Sequence, residues 1–180
     1  MKRIGTVTRW LPIVLALAVA SPLPAQERDA SVLAAAVGRV ADMVRREPGA
    51  PPGPVRFDSR ILIPRQVQTV GAIATVFEPG EVLHPDADSV RSLLGAESGT
   101  ITSARRCPTS SLRSCFIPGA GANFAATRPE MRGDTMRVVV HAVWQGGLAK
   151  QPVQEGTFAV SLVRAQDEWC VREVRTIRIT

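Results

Sequence analysis

His84-Pro85-Asp86-Ala87-Asp88 gathers an imidazole and two carboxylates within five residues. Such a set can hold a divalent cation or exchange protons. The simpler reading is a turn that opens a helix, with one aspartate as its cap and the other favouring the helix dipole. The only other histidine, His141, shares a strand face with Arg137, while Trp144 lies on the opposite face. A packed or surface imidazole is the plain reading there, since a catalytic one needs a second group held against it. Glu155 and Glu173 could accept protons if buried, but both stand among polar neighbours and read as surface charge. No phosphate-cradling loop, nucleophile elbow or metalloprotease helix occurs. These residues therefore assign no catalytic residue, no metal set and no cofactor.

Three cysteines remain as reactive groups: Cys107, Cys115 and Cys170. The first two bracket a polar stretch that starts with Pro108 and can turn back on itself. In an oxidising compartment they are expected to pair, and closing so short a loop is worth roughly 2.5 kcal/mol. With no histidine nearby, two cysteines at this spacing do not make a zinc site. Cys170, between Trp169 and Val171, is expected to be a buried, inert thiol, with a partner-linking thiol as the alternative.

The compartment follows from the start of the chain. Lys2, Arg3 and Arg9 precede ten apolar residues, Leu11 to Ala20, and then Ser21-Pro22-Leu23-Pro24-Ala25. This is the three-part plan of a secretory signal, with cleavage at Ala20 or Ala25 and the latter preferred. Ten helical residues rise only ~15 Å, about half a bilayer core, so a permanent span is not expected. An uncleaved N-terminal anchor is the alternative. Residues 1–25 are thus read as a signal and 26–180 as one exported domain, periplasmic or extracellular, with no transmembrane segment in the mature part.

Removing the signal takes three of the 22 basic residues, and the formal charge of +6 falls to +3. All but Lys2 and Lys150 of the basic residues are arginines, and none forms a concentrated stripe. That excludes the usual nucleic-acid footprint. An envelope factor held to anionic surfaces by arginine stays open, and weakening of its binding in moderate salt would mark it.

These groups must be carried by a small set of elements. Leu33, Val37, Val40 and Val44 form one stripe of a helix over Ser31 to Glu47, stopped by Pro48-Gly49. Val55 to Ile63 alternates as one half-buried strand, with Arg56, Asp58 and Arg60 on its polar face. Over residues 66–77 the spacing of Val67, Val70, Ile73 and Phe77 suits a helix while the β-branched content suits a strand, and the segment stays unassigned. A short helix is expected from Asp88 to Leu94, with Gly95 past its end. The last third alternates clearly: strands over Phe116 to Arg128, Arg137 to Gln145, Thr157 to Arg164 and Trp169 to Ile179, with short turns between them. Short turns imply an antiparallel meander.

The fold class is α+β: an N-terminal amphipathic helix packed on a curved antiparallel sheet that ends in a C-terminal meander. The run VVVHAVWQGG…QEGTFAVSLVRAQDEWCVREV, with the front helix, resembles the nuclear transport factor 2-like (cystatin-like half-barrel) superfamily. That superfamily holds isomerases, dehydratases and non-catalytic binding domains, so the resemblance names no activity. Its isomerases use a phenolic donor and a buried aspartate. This chain has no Tyr, and Asp134 and Asp167 fall in turns. The expectation is a non-enzymatic exported domain that binds a small apolar ligand or an envelope protein in its sheet concavity, near Trp144, His141, Phe124 and Phe158. A hydrolase or isomerase using His141 or His84 is the alternative.

Overall fold

The computed structural model describes residues 25–47, 53–69, 71–101, 121–145 and 153–179. Two helices and a majority of strand make it a mixed α+β structure. In chain order these are α1 (Ala25–Arg46), β1 (Val55–Asp58), β2 (Arg60–Thr69), β3 (Ala72–Leu83), α2 (Ala87–Leu94), β4 (Glu97–Gly99), β5 (Gly121–Ala126), β6 (Glu130–Arg132), β7 (Thr135–Gln145), β8 (Gln154–Ala165) and β9 (Glu168–Ile179).

Seven strands form one sheet in the order β4-β1-β5-β7-β8-β9, with β6 also paired to β7. The half from β5 to β9 is antiparallel throughout. Turn chemistry explains its short connections. Gln166 and Asp167 both adopt positive φ between β8 and β9, and Gly133 does so between β6 and β7. Such backbone matches the twist of the flanking strands. β1, by contrast, runs parallel to both β4 and β5. The expectation of a wholly antiparallel sheet is corrected here, because the chain leaves β1 through a hairpin and a helix before it returns.

The expected single strand over Val55 to Ile63 is also two strands. The chain breaks at Ser59, and β2 leaves the main sheet to pair with β3 alone. Residues 66–69 and 72–77, unassigned from sequence, lie in the strands of this two-stranded hairpin. Gly71 at its tip has φ +79°, which a Cβ-free residue takes without strain.

One face of the sheet packs against α1. Val32, Leu33, Ala36, Val37, Val40 and Val44 are buried on the helix, and Phe57, Phe124, Val138, Val140, Val160 and Leu162 are buried opposite them. Each of the valine, leucine and phenylalanine side chains contributes about 1.5–3 kcal/mol by leaving water. α2 closes the end of this core, and a Cβ at Gly38 of α1 would meet the Leu94 side chain at 3.4 Å. Gly95 ends α2 in the left-handed conformation, and its N–H reaches back to the last carbonyls of the helix.

The other sheet face has a smaller apolar cluster of Leu62, Ile101, Ala125 and Val143, with Phe77 and Val153 against it. The base of the hairpin therefore covers part of this second face. That is why β5 is buried at every position rather than at alternate ones.

Candidate functional site

Strand parity decides where each polar group goes. Trp144, Phe124 and Phe158 alternate onto the α1 side and sit in its core. His141 points the other way, as its offset from Trp144 requires. It is buried, and its Nδ1 shares a hydrogen bond of 3.0 Å with Thr157 Oγ1, directly opposite on β8. Burial pushes the imidazole pKa below its ordinary value, partly offset by the negative charge of Glu155. Glu155 is itself buried, against the expectation of surface charge, because it pairs with Val143 on the covered part of the sheet. Glu173 is exposed, as expected.

His84 and Asp86 are both buried, at the turn that opens α2 as expected. His84 Nε2 donates to the Ala126 carbonyl at 2.9 Å, and the His84 backbone N–H donates to the Ser59 carbonyl at 2.7 Å. The ring stands 6.2 Å from that of Phe57. Burial lowers the His84 pKa, and the Ala126 bond opposes that only in part. The neutral ring thus pins the end of the hairpin to the main sheet. Asp86 sits at the N-cap of α2 without a side-chain cap bond. Asp88, exposed in the first turn, pairs with Arg91 one turn later. No group of three or more His, Cys, Asp or Glu able to hold a metal occurs among the described residues.

A third buried node carries no signal in the sequence. Asp58 reads as one of three solvated polar residues, yet its side chain is only 3% exposed. It accepts from the Arg60 backbone N–H at 2.9 Å, Arg60 Nε at 3.0 Å, Arg60 Nη2 at 2.6 Å and the Ile101 N–H at 2.7 Å. Arg60 Nη2 also donates to the Ile101 carbonyl. The bond to Asp58 raises the guanidinium pKa against the opposing effect of burial. This clamp fixes the point where the chain turns out of β1 into the hairpin.

Two accessible features remain. The first is the hairpin itself. Of the nine large apolar side chains exposed among the described residues, five belong to it: Ile63, Val67, Ile73, Val82 and Leu83. The second is a depression of about 270 Å³ on the sheet face away from α1, open to solvent. Thr135, Ala159 and Ser161 line it together with Arg132, Arg137, Arg175 and Glu173. The β7-β8-β9 ladder sets Arg137 opposite Ser161, Ser161 opposite Glu173, and Ala159 opposite Arg175. Arg132 is already paired with Glu130 at 3.1 Å. Arg137 and Arg175 have no ion-pair partner among the described residues.

Cys170 is exposed and free, which corrects the expectation of a buried thiol. It pairs with Val163 on the face away from the core. Cys107, Cys115 and the proposed signal up to residue 24 lie outside the described residues. No helix among the described residues is long and apolar enough to cross a membrane. No protein-family profile, characterised protein or solved structure matches the chain.

Proposed function

We propose that this chain is an exported, non-catalytic binding domain that uses the β2–β3 hairpin to engage another protein of the cell envelope. The carrying observation is the concentration of exposed apolar side chains on that hairpin, from Ile63 to Leu83. A two-stranded sheet alone is marginally stable in water. Here only its base is anchored, through Leu62 and Phe77, while Val67 and Ile73 stand in solvent. Apolar surface gathered in one projecting element is typical of protein-binding sites.

A binding role also agrees with how the histidines are used. His84 is bonded to a backbone carbonyl and His141 to a threonine hydroxyl, and burial disfavours the charged form of each. Trp144, Phe124 and Phe158 are packed with α1, which favours a protein partner over an apolar ligand beneath the helix. The finer architecture belongs to the same proposal. α1 lies on a curved sheet in the manner of the nuclear transport factor 2-like superfamily, residues 1–25 are removed on export, and Cys107 bonds to Cys115. The order of one long helix followed by the β5-β7-β8-β9 meander supports the likeness. The basic and apolar runs before Ala25 support export.

A photo-crosslinking residue placed at position 73 in cells tests the hairpin, with position 164, exposed near the end of β8, as control. A discrete protein adduct at 73 and none at 164 is expected. No adduct at 73, or equal adducts at both, overturns the proposal.

A further inference from the structure

We propose that the depression on β7, β8 and β9 is a binding site for a small carboxylate that also carries a hydrogen-bond donor, a hydroxyl or an ammonium. Its floor is made of Ala159 and Ser161, whose short side chains leave room above the sheet. Arg137 stands on one side of Ser161 and Glu173 on the other. Three neighbouring strands place those two Cα atoms roughly 10 Å apart. Arg175 follows Glu173 by two residues, roughly 7 Å along the same strand.

The two arginines have no acid partner among the described residues, and each presents a planar fork that matches a carboxylate. Glu173 sets the selectivity. A compact multiply charged anion such as phosphate must sit near this carboxylate and be repelled by it. A ligand with separated groups can place its carboxylate at the arginines and its donor toward Glu173 and Ser161. The site is independent of the hairpin, since none of its lining residues belongs to β2 or β3. Its openness to water implies weak binding, with Kd on the order of 1 mM, that falls with salt.

Titration of the full chain by calorimetry, at fixed low ionic strength, tests the proposal with three probes: malate, succinate and inorganic phosphate. Malate and succinate carry the same charge, and only malate has a hydroxyl. Malate is expected to bind at least fivefold tighter than succinate and tighter than phosphate. Arg137→Gln and Arg175→Gln should each weaken malate at least fivefold. Glu173→Met, which leaves no oxygen acceptor at that position, should cut the preference for malate over succinate to less than about twofold while both still bind. Melting curves of the variants should match the parent, because these side chains line an open surface. Equal binding of malate and succinate overturns the proposal. So does phosphate binding more tightly than malate, or malate binding that ignores both arginine substitutions. Hairpin variants should leave malate binding unchanged, so the two proposals fail separately.

Discussion

Asp58→Ala should be among the most damaging single changes in the chain. The carboxylate accepts from four donors, two of them backbone N–H groups, and is almost fully enclosed. Breaking a buried ion pair by removing one partner costs about 3–5 kcal/mol. Two features adjust that figure. The Arg60 side chain is 33% exposed, so its guanidinium recovers water and the loss is discounted. The Ile101 N–H has no such recourse, and an orphaned buried donor costs about 1–3 kcal/mol. The expected loss is therefore about 3 kcal/mol. Asp58→Asn retains one acceptor oxygen but turns an N–H₂ toward donors, and should cost about 2 kcal/mol by the same reasoning. Arg60→Ala strips the buried Asp58 carboxylate of its countercharge but leaves it both backbone donors, and should cost about 2 kcal/mol. Urea denaturation at constant m gives these differences from the midpoints. The double variant Asp58→Ala, Arg60→Ala should lose about 1 kcal/mol less than the sum of the singles, since they share one interaction. A loss below about 1 kcal/mol for Asp58→Ala refutes the reasoning. So does Arg60→Ala proving the more damaging of the two.

His84→Ala should cost about 2–3 kcal/mol, because it leaves the Ala126 carbonyl without its donor and opens space beside Phe57; thermal melts against His84→Gln, which can still donate, separate the two effects. Both histidines have folded pKa values below the ordinary 6.5, so the unfolded chain binds their protons more readily. Stability should be full above about pH 6.5 and fall as acid protonates the unfolded state, levelling below the folded pKa values. Urea midpoints between pH 5 and 8 should show this slope, and replacing both histidines with glutamine should flatten it. Trp144→Ala should cost about 3–5 kcal/mol in the same denaturation assay, as a large-to-small change in the α1 core.

Much of the fold was legible where a single period governs a whole element. Leu33, Val37, Val40 and Val44 predict the buried stripe of α1, and all four are buried. The turns at Gly133-Asp134 and Gln166-Asp167 fall where expected, since each needs positive φ and carries a residue that tolerates it. The hairpin was not legible. Val67, Val70, Ile73 and Phe77 have helical spacing while the β-branched content suits a strand, and the structure places Ile73 in solvent. The Asp58 clamp was hidden for a different reason. Its burial depends on Ile101, 43 residues away, and no local pattern reports a partner that distant.

The arginine-lined depression shows how a single inserted residue hides a site. Arg137 follows simple alternation on β7, two and four residues from Val139 and His141, and its face could be read directly. On β9 straight alternation from Trp169 puts Val171, Glu173 and Arg175 together on the core side and turns Val174 outward. The register shift between Ser161 and Leu162 inverts this. Leu162 meets Val171, but Ser161 meets Glu173, so Arg172 is the extra residue. Beyond it Val174 joins the core cluster, while Glu173 and Arg175 move to the opposite face beside Ser161 and Ala159. A second shift, between Thr157 and Phe158, then sets Arg178 against Thr157. Bulges of this kind also bend and charge an edge strand, which protects it from pairing with other chains. The first of the two irregularities that blunt the β9 edge, at Arg172, thus also aims Glu173 and Arg175 into the depression, and it has no signature in hydrophobic periodicity.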